Sequence, residues 1–317
     1  MPKTVKSWIL VIVVLGAIVV AVSVWRYIGT PVAPPDTMTT DELLRNPQRY
    51  DGQVLKVFGR ITDLGHLRCP CFTLDSKPIV VWYLSDPLAE DMPPFDPPLT
   101  DGLLNHLRAR VGPEAAMNHY HLATAAEDAL EQEVLADLTA LGQSEENFQF
   151  YLVFANEVTD RYGRLLCFVN RYQPSEPRPD SYNERLLKAA KVSPYFIWPN
   201  IDPFLRKKAK YVIPPHIASD VANRAPKLGP AREWVRDARR VGTGIFDARD
   251  FLRLEPFEVR FLARRQPPDR WVIDLSKNDN TIIKPQEYYT VPNAEDRLFI
   301  PDEYVSLFVE KGWQRQA

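Results

Sequence analysis

The chain has 317 residues, of which 45% are hydrophobic and 25% are charged, as is typical of a globular protein with enough apolar material for a core. Its formal net charge of −2 argues against a strong overall attraction to nucleic acid or to acidic lipid. Twenty-nine prolines against thirteen glycines favour rigid, extended connections over a compact helical bundle.

An uncharged apolar segment occupies residues 8–25, with a tryptophan at each end. It is just long enough to cross a bilayer as a helix, and tryptophan favours the membrane interface. Because lysines precede it, the positive-inside rule predicts a cytoplasmic tail at 1–7 and an extracytoplasmic body, periplasmic or extracellular. A cleaved signal peptide is the alternative, since Ala21, Val22 and Ser23 could serve as a cleavage site. Residues 26–39 are predicted to form a proline-stiffened tether.

The residues after the tether predict a small β-barrel. Three runs rich in β-branched and aromatic residues follow one another with short turns, as in a meander: 54–64, 71–75 and 78–86. Two more β-prone strands flank the charged turn at 160–164. Cys167 lies in the second of these strands and is predicted to be a small core residue. Three cysteines without clustered histidines indicate neither a disulfide framework nor a zinc site.

Helical patterns separate and follow these strands. Leucines and alanines recur at helical spacing in residues 102–112 and 123–142, after a proline-rich loop. A short helix is predicted within 181–192 and another within 229–246. In the last of these, Pro230 suits the first turn, while Gly242 and Gly244 suit the end.

Four segments, in this order, resemble the staphylococcal nuclease (thermonuclease) family: "TDRYGRLLCFV", "NERLLKAAKV", "YFIWPN" and "AREWVRDARRVGTGIF". The resemblance implies a five-stranded OB-type β-barrel with three helices, and it assigns residues 40–246 to this domain, with long insertions. The expected fold class is therefore α+β. The barrel domain is joined to an N-terminal transmembrane helix and to a C-terminal α+β extension at 247–317.

The resemblance also implies a chemistry, the hydrolysis of a phosphodiester with the help of Ca²⁺. Arg164 matches the arginine that clamps the phosphate, a role that suits the planar guanidinium. Arg161 and Tyr162 match neighbours that contact a terminal phosphate. Tyr195 matches the first of two tyrosines in the nucleotide pocket, whereas Ile197 stands at the position of the second.

The carboxylates of the implied metal site are only partly present. Asp63 and Asp86 are the candidate metal ligands, and Glu90 is the candidate base that acts on the attacking water. The aspartate signature of the family's first strand is absent, and no arginine occurs in residues 80–84. A site with one or two carboxylates binds Ca²⁺ poorly. These departures favour a protein that has lost catalysis and binds nucleic acid, another anionic ligand or a protein; a Ca²⁺-dependent nuclease is the alternative.

Each candidate also has a purely structural interpretation. Arginines in a hairpin turn are often solvent-exposed, Asp86 and Glu90 suit an ordinary turn, and Tyr195 suits a core. Residues 205–240 contain ten Lys/Arg and three Asp/Glu. Such a region fits an anionic polymer, a solvated helix face or a membrane surface. Residues 247–317 contain no catalytic motif, and they are expected to pack on the barrel or to bind a partner.

Overall fold

The structure is a computed structural model, and it describes residues 54–55, 67–68, 88, 93–112, 115–145, 147–159, 165–201 and 214–317. The predicted tail, anchor and tether lie outside these residues. Within the described part of the chain, no helix combines the length and apolar character that crossing a bilayer requires.

The described strands are short, apart from the two that flank the charged turn. They are β1 (Val54–Leu55), β2 (Leu67–Arg68), β3 (Phe150–Thr159), β4 (Leu165–Arg171), β5 (Ser193–Pro194), β6 (Phe196–Ile197), β7 (Trp271–Asp274), β8 (Thr281–Ile282), β9 (Arg297–Ile300) and β10 (Gln314–Arg315).

Seven α-helices are described. They are α1 (Asp101–Arg108), α2 (Ala115–Leu141), α3 (Tyr182–Lys188), α4 (Ser219–Arg224), α5 (Leu228–Val241), α6 (Pro256–Arg264) and α7 (Asp302–Glu310). Short 3₁₀ turns follow α5 at Gly244–Phe246 and precede β9 at Pro285–Thr290 and Ala294–Asp296.

The first sheet contains β1, β3 and β4, all antiparallel, with β3 in the middle. The pairing of Thr159 with Leu165 confirms that two paired strands flank the turn at 160–164. Cys167 is buried in β4, and burial raises the pKa of its thiol to about 12, as expected of a core residue. The described strands form small sheets and close no barrel. The five-stranded barrel stays a prediction, because most of its first three strands lie outside the described residues.

Helix α3 confirms the short helix predicted within 181–192. Ser181 and Glu184 form a capping box, in which each side chain accepts a hydrogen bond from the backbone N–H of the other. The side chain of buried Asn183 accepts a hydrogen bond from the backbone N–H of Val169 at 2.9 Å. This bond fixes the helix against β4.

Helix α5 also follows its sequence signals. Pro230 lies in the first turn, where its missing N–H costs nothing. Gly242 ends the helix in the left-handed conformation, with φ of +73°. The next glycine, Gly244, also has a positive φ, and it lies against the backbone of Ala190, just after α3.

Replacing Gly244 by alanine is expected to lower the free energy of unfolding by about 2 kcal/mol, from the left-handed φ and from overpacking. The new Cβ would lie 2.1 Å from the carbonyl oxygen of Ala190, which accepts the N–H of Ile245. Chemical denaturation measures the loss. The matched control is Gly142→Ala, where φ is +60° but no atom lies within 4 Å. An equal loss in both variants would contradict the close contact as the cause.

A second sheet joins the two halves of the described chain. Strand β9 lies in its middle, parallel to β6 and antiparallel to β7. Its side chains alternate between two apolar cores, because successive residues of a strand point to opposite faces. Leu298 and Ile300 enter the core that contains β4, α3 and α5, whereas Phe299 enters the core that contains α1 and α6.

The second of these cores is shared by the insertion at 93–112 and the C-terminal extension. Leu103 and Leu107 of α1 are fully buried in it. The backbone N–H of Thr100 donates to the side chain of Gln286 at 2.7 Å, and Arg265 donates to the carbonyl of Pro93 at 2.6 Å. The proline-rich insertion is thus held by the extension.

The sequence of residues 251–276 predicts two strands or a strand and a short helix, and the structure has a helix and a strand, α6 and β7. The sequence of the last helix predicts that Val305, Phe308 and Val309 share one buried face. In α7, Val305 and Phe308 are buried as predicted. The prediction for Val309 is wrong, since its side chain is 42% exposed. Consecutive residues of a helix lie about 100° apart, so Val309 lies off the face on which Phe308 packs against the ring of Trp313, at 5.5 Å between centroids.

Candidate functional site

Of the residues predicted to form the site, Tyr195 is the one that the structure describes. The others lie outside the described residues, and their placement stays a prediction: Asp63, Asp86, Glu90, Arg161, Tyr162 and Arg164. Among the described residues, no three His, Cys, Asp or Glu side chains are grouped as a metal ion would require. The Ca²⁺ site therefore also stays a prediction.

Tyr195 lies between two strands that belong to different sheets. The strand before it, β5, pairs with β2, and the strand after it, β6, pairs with β9 of the C-terminal extension. Its ring stacks on Phe257 of α6, with centroids 5.2 Å apart, and contacts Phe299 of β9 at 4.4 Å. The residue is 7% exposed. The extension therefore covers most of the ring.

The hydroxyl end of Tyr195 meets an arginine that the sequence did not single out. Nη1 of Arg270 donates to the Tyr195 hydroxyl at 3.2 Å, and its guanidinium lies 5.5 Å from the ring centroid. Arg270 directly precedes β7, just as Arg164 directly precedes β4. An arginine immediately before an apolar strand was the signal that the sequence offered for Arg270.

Behind Tyr195, a buried ionic cluster holds α6 in place. Glu255 and Glu258 form a capping box at the start of this helix. Arg297 of β9 donates to Glu255 at 2.5 Å, and Arg110, which follows α1, donates to Glu258 at 2.5 Å. Tyr288 also donates to Glu258, at 2.6 Å. The cluster thereby connects the insertion, α6 and β9.

The environment moves the pKa values of the two glutamates in opposite directions. Burial raises the pKa of Glu255, although Arg297 opposes the effect. Burial alone would also raise the pKa of Glu258, but the charge of Arg110 and hydrogen bonds from His106 and Tyr288 lower it to about 2. A charged Glu258 with donors on both oxygens suits the positioning of helices better than proton transfer to a substrate.

Helix α5 carries a row of arginines that contact the extension. This arginine row comprises Arg232, Arg236 and Arg239, which lie on one face at helical spacing. It meets an acidic turn, Glu295 and Asp296, in the 3₁₀ turn before β9. The contacts are charge-assisted hydrogen bonds: Arg232 and Arg236 donate to Asp296 at 2.6 and 2.9 Å, and Arg239 donates to Glu295 at 2.6 and 3.3 Å.

This pairing changes the interpretation of the basic region at 205–240. The arginine row binds carboxylates of the same chain. The positive charge that suggested an anionic polymer as partner is therefore largely neutralised on this face. Burial alone would raise the pKa of Asp296, but hydrogen bonds from Arg232, Arg236 and Asn293 lower it. The sequence could not reveal these partners, because the acidic turn lies far along the chain from α5.

Neither a known protein family, nor a curated protein, nor a solved structure matches this chain. The resemblance to the thermonuclease family therefore stays a prediction that rests on the four sequence segments. The described parts of these segments form β4, α3, β6 and α5.

Proposed function

We propose that the protein is a membrane-anchored binding module on the extracytoplasmic side of the cell membrane. Its thermonuclease-like domain has lost hydrolysis and binds an anionic ligand, with single-stranded nucleic acid as the first candidate, through the arginines of the turn at 160–164. The observation that carries this proposal is the cover over Tyr195, whose ring contacts Phe257 and Phe299 of the extension.

A nucleotide base needs an accessible aromatic face if it is to stack in a pocket. A ring that is 7% exposed leaves little such surface, so a base could reach it only by displacing Phe257 or Phe299. These two side chains also pack on each other, with centroids 5.2 Å apart, which makes their displacement costly. The covered ring of Tyr195 supports the proposed loss of catalysis, as does the small number of carboxylates in the predicted metal site, Asp63 and Asp86.

Two observations favour the turn at 160–164, rather than helix α5, as the contact for an anionic ligand. Strands β3 and β4 pair up to Thr159 and Leu165, so the connection that carries Arg161 and Arg164 is short. The arginine row of α5, in contrast, already binds the carboxylates of the acidic turn. Two guanidinium groups within four residues can bind neighbouring phosphates with directed hydrogen bonds.

The test uses the full chain in detergent micelles. We expect no cleavage of single-stranded DNA in Ca²⁺ beyond that in chelator, together with salt-sensitive binding. Replacing Arg161 and Arg164 by alanine is expected to weaken binding and to reduce the slope of log K against log salt by about 1.4, which corresponds to two phosphate contacts. The matched control is Arg249→Ala, an exposed arginine in a different loop. Fluorescence anisotropy at several salt concentrations measures both quantities.

Two results would contradict the proposal. Cleavage that requires Ca²⁺ and disappears in Arg164→Ala would establish the nuclease instead. Equal binding by the double variant and the Arg249→Ala control would show that the turn is not the contact.

A further inference from the structure

The acidic turn accepts charge-assisted hydrogen bonds from all three members of the arginine row. Arg239 binds both carboxylate oxygens of Glu295, and Arg232 and Arg236 share one oxygen of Asp296. Arg232 also donates to the backbone carbonyls of Glu295 and Leu275, each at 3.0 Å. Bidentate arginine contacts of this kind are those by which proteins bind phosphates and carboxylates.

The two sides of this contact differ in their access to solvent. The side chains of Glu295 and Asp296 are 1% and 7% exposed, whereas those of Arg236 and Arg239 are 39% and 38% exposed. The carboxylates therefore lie inside, and the two outer guanidinium groups reach solvent. Nη1 of Arg236 also donates to Glu233 at 2.5 Å, but an ion pair as exposed as this one contributes little. An anion that approaches α5 from outside would meet these two guanidinium groups, but the buried carboxylates offset most of the charge of the arginine row.

From this arrangement we propose that the acidic turn acts as an internal ligand that masks a second polyanion-binding surface on α5. The surface consists of Arg236 and Arg239, with the partly buried Arg232 as the anchor that holds the turn in place. It is separate from the turn at 160–164 and goes beyond the function proposed above. The contact is autoinhibitory: while the turn carries its two negative charges, α5 attracts polyanions weakly.

The test neutralises the acidic turn in the full chain with Glu295→Gln and Asp296→Asn, which keep the shape of both side chains. Binding of a fluorescent single-stranded DNA is expected to become about tenfold tighter at low salt, with a log–log salt slope steeper by about 1.4, because two arginines become available to phosphates. The matched control is Glu127→Gln with Asp128→Asn. This adjacent pair on α2 is exposed and changes the net charge equally.

A double variant that binds no better than the Glu127/Asp128 control would overturn the proposal. Further replacement of Arg236 and Arg239 by glutamine should abolish the gain, and a gain that persists would equally overturn it. If circular dichroism shows that the double variant does not fold, Glu295→Gln alone removes the bidentate pair and should give a smaller gain, with a slope steeper by about 0.7. An unchanged slope in this single variant would contradict the proposal.

The outcome can be separated from that of the proposed function. In a chain that also carries Arg161→Ala and Arg164→Ala, the gain from neutralising the acidic turn should persist, because the two surfaces are different. Loss of the gain in this background would contradict a separate surface on α5.

Discussion

Replacing Arg297 by methionine is expected to lower the free energy of unfolding by about 3–5 kcal/mol, because the change leaves a buried charge without its partner. Arg297 is 2% exposed and donates to Glu255 at 2.5 Å. Its other nitrogens donate to the carbonyls of Val291 and Pro292, at 2.6 and 3.0 Å. Chemical denaturation of the full chain in detergent, followed by tryptophan fluorescence, measures the loss.

The stability lost in Arg297→Met should be larger at high pH than at low pH. Burial raises the pKa of Glu255 above its usual 4.5, and the charge of Arg297 opposes this rise. Without Arg297 this pKa rises further, and stability falls as the pH rises through it. The penalty of Arg297→Met should therefore be large at pH 7 and should shrink below about pH 4.5.

A second substitution tests the cause of the penalty. Adding Glu255→Gln to Arg297→Met removes the buried charge while it keeps an acceptor at the start of α6, and it should restore part of the stability at pH 7. The matched control is Arg249→Met, which removes an exposed partner of Asp247 and should have no measurable effect. A penalty that is equal at pH 7 and pH 4, or no recovery in the double variant, would contradict the explanation.

Elements with local signals could be predicted from the sequence. The helix at Tyr182–Lys188 begins where Ser181 can cap it and Glu184 can reciprocate, and the helix at Leu228–Val241 ends at Gly242. Strand β3 is rich in β-branched and aromatic residues, and β4 begins with an apolar run. Such signals involve only a few neighbouring residues, so they can be recognised in the sequence without knowledge of the tertiary structure.

Elements that depend on distant partners could not be predicted in this way. Strand β6 has two residues, Phe196 and Ile197, which is too few for a periodic pattern. It exists because Phe196 pairs with Leu298 and Ile197 pairs with Phe299, and because each residue enters a different core. The sequence therefore predicted a separate extension at residues 247–317. The structure instead places β9 of this extension beside β6 in one sheet.

The candidate site shows the same limit. Tyr195 could be selected from its motif, but its cover by Phe257 and Phe299 depends on the packing of a segment outside the motif. Arg270 reaches its hydroxyl from that segment as well. A motif can single out a candidate residue, whereas its exposure depends on the side chains that pack over it.

Acidification is expected to destabilise the fold through His119, by about 3 kcal/mol between pH 7 and pH 4. The side chain lies in α2, is 1% exposed, and donates from Nδ1 to the carbonyl of Leu254 at 3.3 Å. Burial lowers its pKa from 6.5 to about 4, and the charge of Arg260 acts in the same direction, while Leu254 and Glu258 oppose it. The unfolded chain therefore binds a proton below pH 6.5 that the folded chain accepts only near pH 4.

His119→Asn isolates this contribution, because asparagine can retain a donor toward Leu254 but does not titrate. The variant loses packing at pH 7, but its stability should fall less steeply than that of the parent chain between pH 6.5 and pH 4. The matched control is His121→Asn, which replaces an exposed histidine on the same helix. Urea denaturation at intervals of half a pH unit measures the slopes. Parallel slopes for the parent and the His119 variant would show that His119 is not the group whose protonation opposes folding.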